Sequence, residues 1–195
     1  MKRTISQTIA VNRNIGAILF VTFMMSGVTR VYSQSKSDPF WFDAGLGYVL
    51  AETNFGGLGV GGGLCISKDN HLFSMRFAYF EEFNIFGPTP NETLWDMAFM
   101  YGRFINGSHG IATFSGGLSL VGGVKRGRFL YNTAGWFGPS VYESVHFATV
   151  GIPIEGQLLW TPAAHFGIGV NGFCNLNPRK SFVGVLLCLK FGKFR

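Results

Sequence analysis

The sequence has 195 residues, of which 47% are hydrophobic and only 13% charged, about half the charged share usual in a soluble domain. This is one domain's worth of chain, and a mean hydropathy of +0.26 points toward a membrane. Yet the longest apolar run, residues 15–25, falls well short of the roughly 20 residues a spanning helix needs. A membrane form of this chain must therefore cross by strands.

In chain order, the first predicted element is an export signal. Lys2, Arg3 and Arg13 make a basic stretch, residues 15–25 an apolar one, and Val31-Tyr32-Ser33 a modest-sized cleavage site before Gln34. The expected division is a signal peptide over 1–33, a short linker over 34–39 and one outer-membrane barrel domain over 40–195. Lys2, Arg3, Arg13 and Arg30 leave with the signal. The pI of 9.4 is thus largely a targeting feature and gives no support for nucleic-acid binding. Cys65 is the first cysteine, too far from the apolar run for a lipoprotein anchor. Cys65, Cys174 and Cys188 are odd in number and lack a CxxC, so neither a disulfide framework nor a zinc site is signalled. No metal and no cofactor is expected.

Beyond Asp38-Pro39 the organising feature is alternation with period 2. In residues 40–50, Phe40, Phe42, Ala44, Leu46, Tyr48 and Leu50 oppose Asp43, Gly45 and Gly47. Residues 57–67 set Leu58, Val60, Leu64 and Ile66 against a run of glycines. Residues 72–82 set Phe73, Met75, Phe77 and Tyr79 against Ser74, Arg76, Ala78 and Glu82. The pattern continues through 94–104, with Asp96 on its small face, and through 111–123. In 146–160, Glu155 and Gln157 oppose Ile152, Ile154 and Leu158, and Pro153 suggests a bulge or local break because it cannot donate to a ladder. Residues 166–175 carry Asn171 and Asn175 on the polar face, and 181–191 carry Lys190.

These are eight strand candidates of about ten residues, the length a tilted strand needs to cross a bilayer. Their connectors alternate between short (68–71, 105–110, 161–165) and longer (82–93, 125–143), as in barrels with short periplasmic turns and longer outer loops. The large apolar face cannot all point into an eight-stranded barrel. It is therefore assigned to lipid, and a lumen of Gly, Ser, Ala and a few charges is expected. A soluble β-sandwich would carry Lys, Glu and Thr on its outer face, where this chain has mostly Gly and Ser. Trp41, Tyr48, Tyr79, Trp95, Tyr101, Trp160 and Phe191 fall near strand ends, where interfacial aromatic girdles sit. The expected fold is all-β, a closed antiparallel up-and-down transmembrane barrel.

With its signal, its eight strands and the aromatic-rich closing segment Ser181-Phe-Val-Gly-Val-Leu-Leu-Cys-Leu-Lys-Phe-Gly-Lys-Phe-Arg195, the chain resembles the small OmpA/OmpX-type barrels of Gram-negative bacteria. The resemblance covers residues 40–195 as architecture. It implies residence in the outer membrane as a monomer among lipids and lipopolysaccharide. It also implies recognition of the last strand, at Phe191 or Phe194, by the assembly machinery.

Two groups of residues are candidates for function. Asp43, Arg76, Glu82, Asp96, Glu155, Gln157, Asn171 and Lys190 fall on the lumen face, where charges must pair or stay hydrated. They are expected to form an ion-pair network that plugs the barrel, since eight strands leave too little room for an open pore. Lys125, Arg126 and Arg128 head the longest connector and are candidates for contact with lipopolysaccharide phosphates. The function expected is non-enzymatic: a structural or surface-recognition role through the outer loops. The alternative is lipid-modifying chemistry around His146, with Ser140, Glu143 and Ser144 nearby in sequence. No catalytic residue is assigned, because His146 is followed by Phe147, Ala148 and Thr149, without the His-x-Ser-Asn pattern of lipid A deacylases.

Overall fold

A computed structural model describes residues 38–52, 55–68, 70–83, 87–107, 110–133 and 139–194. The expected signal peptide, the linker up to residue 37 and Arg195 lie outside them. Eight strands follow in order: β1 (Phe40–Ala51), β2 (Phe55–Lys68), β3 (His71–Glu82), β4 (Thr93–Asn106), β5 (Gly110–Asn132), β6 (Ser140–Trp160), β7 (Phe166–Leu176) and β8 (Phe182–Lys193). Each pairs antiparallel with the next, and β8 pairs with β1 to close a barrel. Closure gives every strand two neighbours and leaves no edge strand with a row of unpaired backbone N–H and C=O groups.

The ring is staggered. Stepping between register partners, Phe40, Ile66, Phe73, Tyr101, Gly116, Ile154, Cys174 and Val183 lead back to β1 at Leu50, ten positions beyond the start at Phe40. Such a shear tilts the strands and fixes the barrel's girth.

Six strands match their sequence-predicted spans to within two residues. β5 and β6 do not: they extend to Asn132 and back to Ser140, through residues expected to form a loop. Their register shifts between Arg126 and Phe129 and again before Tyr131. Past Val124, where pairing with β4 ends, and before Ile152, where pairing with β7 begins, the two strands run on as a hairpin above the rim. Beyond the closed ring the strict period-2 alternation of the wall is lost while backbone pairing persists. Of the bulge or local break expected at Pro153, the structure shows the break without a bulge. β5–β6 pairs stop at Gly116↔Ile154 and resume at Ser119↔Gly151 in the same register, while Pro153 stays opposite Asn175 of β7.

Outside, the wall is a belt of exposed apolar side chains: Leu46, Leu58, Val60, Phe73, Phe99, Leu118, Leu120, Val150, Val170 and Leu187 among them. Inside, the lumen departs from the expected small residues. One apolar cluster joins Val49, Phe55, Phe80, Leu94, Val121, Phe173, Phe182 and Leu186. A second joins Trp41, Cys65, Leu72, Phe104, Ile111, Leu159 and Phe194 near the opposite strand ends. Trp41 is therefore a plug residue, its ring tilted against those of Phe104 and Phe194 with centroids 5.9 and 6.0 Å away, and not part of a girdle. Phe194 is likewise committed to the interior, whereas Phe191 faces outward.

Glycines make room for these plugs. A Cβ on Gly59 would lie 2.6 Å from the Phe80 ring, and one on Gly61 2.7 Å from Leu186. The glycine-rich β2 thus leaves space in the core for large side chains from β3 and β8.

Candidate functional site

Between the two apolar plugs lies a layer of buried charge. Arg76 on β3 donates to Asp96 of β4 at 2.5 Å and to Glu155 of β6, and its guanidinium also stacks 4.3 Å from the Phe173 ring centroid. Lys190 on β8 donates to Asp43 of β1 at 3.0 Å and to Gln157 of β6 at 2.7 Å. The Gln157 amide then donates to Glu155, so the two groups join into one network. Asn175 donates to Asp96 at 3.0 Å and to Ser119 at 2.6 Å. All of these side chains are buried. They meet because the stagger brings inward positions of opposite walls to one level. A lone charge at this depth would cost several kcal/mol, which is why each carries a partner.

A second polar group sits at the mouth, on the side of the long connectors. Arg126 pairs with Glu82, donates through its guanidinium to the carbonyls of Pro88 and Pro90, both at 3.2 Å, and its backbone N–H donates to Glu92 at 2.9 Å. Lys180 pairs with Glu92 and lies 4.0 Å over the Phe55 ring. Asn177 holds the β7–β8 turn: its Oδ1 accepts the N–H groups of Arg179 (3.1 Å) and Lys180 (2.8 Å), and its Nδ2 donates to the Lys180 carbonyl (2.9 Å). The segment before β4 crosses to β6, where Thr89 donates to Ser140 and accepts from Tyr142. Burial pushes the Glu92 carboxyl up. The hydrogen bonds from Lys180 and the Arg126 backbone, with the charges of both side chains, outweigh it and hold Glu92 below the usual carboxylate range. A cavity of about 390 Å³ opens among Glu52, Pro88, Glu92, Lys125, Arg126, Tyr142, Arg179 and Lys180.

No protein-family model matches the chain, and no curated protein matches it in sequence. Its structure is similar to that of Neisserial surface protein A, at 8% identity and a TM-score of 0.55, with 80% of this chain and 96% of that one covered. It is also similar to Ail, the attachment invasion locus protein of Yersinia pestis, solved in complex with the heparin analogue sucrose octasulfate. There the identity is 9% and the TM-score 0.56, with 80% and 99% of the chains covered. The fold is that of the small eight-stranded outer-membrane β-barrels.

On this barrel, seven of the eight residues assigned to the lumen are buried in the central layer: Asp43, Arg76, Asp96, Glu155, Gln157, Asn171 and Lys190. Six of them share the bonds above. Asn171 is buried beside them, but its Oδ1 joins none of those bonds. Glu82 is inward by parity yet lies at the rim, so it belongs to the mouth. The basic trio divides as well. Arg126 is tied to Glu82 and the β3–β4 segment, Lys125 lines the cavity, and Arg128 is exposed on the projecting hairpin. His146 is exposed on β6, and no hydrogen bond among the described residues joins it to Ser140, Glu143 or Ser144. The Ser140 hydroxyl donates to Asn132 at 2.9 Å.

Sequence reasoning missed Glu92, Arg179 and Lys180, which sit in connectors where no alternation assigns a face. Asn177-Pro-Arg-Lys180 did carry one usable signal. An Asn two residues before a backbone N–H is a turn-former, and its side-chain bond locks the next two or so residues in place.

Proposed function

We propose that this chain is an exported, non-enzymatic barrel of a Gram-negative outer membrane that acts through its outer surface. The observation that carries this reading is the contrast between a filled lumen and a built exterior. Two apolar plugs and a paired charged layer close the inside, while β5 and β6 continue past the rim as a hairpin with exposed Phe129, Leu130 and Tyr131. An eight-stranded barrel packed in this way leaves no route for solutes. A surface of aromatic and basic residues held on a rigid wall is suited to recognition. The central layer is then structural: it fixes strand register and fills the core.

The test is a detergent gel of an outer-membrane fraction with boiled and unboiled samples side by side, after a carbonate wash. The protein is expected to stay in the membrane, and the unboiled band to migrate apart from the boiled one. Release into the soluble fraction with one unshifted band contradicts the proposal.

A further inference from the structure

Neither the sealed lumen nor the lipid belt uses the mouth cavity. At about 390 Å³ it lies at the small end of ligand sites, which run from about 300 to 1,000 Å³. Lys125, Arg126, Arg179 and Lys180 line it, against two carboxylates, Glu52 and Glu92. Two of those cations are already neutralised: Arg126 by Glu82 and Lys180 by Glu92. Lys125 and Arg179 take part in none of the ion pairs among the described residues. The lining therefore carries surplus positive charge at the end of the barrel that water reaches.

The frame is also set before any ligand arrives. The Asn177 turn fixes the backbone of Arg179 and Lys180, and the carbonyls of Pro88 and Pro90 fix the Arg126 guanidinium. A ligand need not order these groups, which saves binding free energy. Glu52 and Tyr142 complete the wall, adding a carboxylate and a phenol of the kind that hydrogen-bond hydroxyl groups.

We propose that this cavity binds a phosphate or sulfate monoester carried on a sugar. Lys125 and Arg179 contact the anion, and Arg126 and Lys180 hold the surrounding frame. The proposal rests on the outward-facing barrel read above. Its ligand chemistry has two sources: lipopolysaccharide of the same membrane, or a soluble anionic saccharide.

The experiment uses the purified barrel in phospholipid nanodiscs, titrated calorimetrically with glucose 6-phosphate, glucose 6-sulfate and glucose. Both anionic sugars are expected to bind and glucose is not. Lys125→Ala with Arg179→Ala weakens binding about tenfold or more, as loss of charge-assisted contacts implies. Lys68→Ala, an exposed cation at the other end of the barrel, leaves it unchanged. Loss of glucose 6-phosphate binding in discs prepared with lipopolysaccharide assigns the membrane source. Competition by a soluble heparin oligosaccharide in lipopolysaccharide-free discs assigns the other. No binding by a protein that keeps its heat-dependent gel shift overturns the site while leaving the barrel intact, as does binding that survives the double substitution. Loss of the shift in the wild-type protein overturns the barrel reading and the site with it.

Discussion

The barrel holds two ion-pair networks built from the same residue types, one in the centre and one at the mouth. In the centre, Arg76, Lys190, Asp43, Asp96 and Glu155 lie between apolar plugs, and each touches a partner of opposite charge. At the mouth, Arg126 and Lys180 are paired, but Lys125 and Arg179 share their cavity without an ion pair among the described residues. The difference comes from solvent. Where no water screens a charge, an unpaired one is too costly to keep; at the rim, surplus charge is tolerated and remains free for a ligand. Full pairing marks structure here, and incomplete pairing marks the place to look for recognition.

Removing the shared cation should break the centre most severely. Arg76→Met leaves Asp96 and Glu155 buried without it, with an expected loss of about 3–5 kcal/mol, read from denaturant unfolding in micelles. Arg76→Met combined with Asp96→Leu and Glu155→Met should be more stable than the single variant, because no buried charge is then stranded in that group. A triple variant less stable than the single one would mean that the network contributes more than charge compensation.

The next largest effect compares inside with outside. Gly61→Val drives a side chain into Leu186 and should cost about 1–3 kcal/mol through overpacking. Gly172→Val is the matched control, since a Cβ at Gly172 meets nothing within 4 Å, and it should change stability by about 0.5 kcal/mol or less. Equal losses at the two positions would contradict the division into a filled lumen and an open outer face.

At the mouth, Glu92→Gln should cost about 1–3 kcal/mol at neutral pH, because it leaves the buried Lys180 ammonium without its carboxylate. Because folding lowers the Glu92 pKa, its contribution is fully present above the unfolded-state value of about 4.3. It is lost as pH falls through the lower folded-state value. The stability gap between wild type and Glu92→Gln should therefore persist from pH 7 to pH 5 and close below about pH 4. A gap that widens with acid would reverse the assigned sign.

Strand number, closure and most inward polar residues were legible in the sequence because a two-faced wall enforces period-2 alternation, and Asp43, Arg76, Asp96 and Lys190 stand out against apolar neighbours. The plugs were not. Trp41, Phe80, Phe173 and Leu186 point inward from strands that are also greasy outside, and hydrophobicity alone cannot separate two apolar faces. Parity does separate them: Trp41 shares its face with Asp43, and Leu186 shares its with Lys190. The mouth was illegible for another reason. Arg126 meets Glu82 across 44 positions and Lys180 meets Glu92 across 88, through connectors with no periodic signal. The β5–β6 hairpin escaped because leaving the closed ring removes the pattern before it removes the pairing.

The central claim is that adjacent residues on one strand face opposite worlds, lipid and a dry core. Leu187 is 62% exposed on the outer wall, while its neighbour Leu186 is 1% exposed inside. The direct measurement is NMR of methyl-labelled protein in nanodiscs, recording Overhauser contacts between lipid acyl chains and these two side chains. Strong contacts are predicted to Leu187 and Leu118 and none to Leu186 or Val121. Acyl-chain contacts to Leu186, or their absence at Leu187, would contradict the claim.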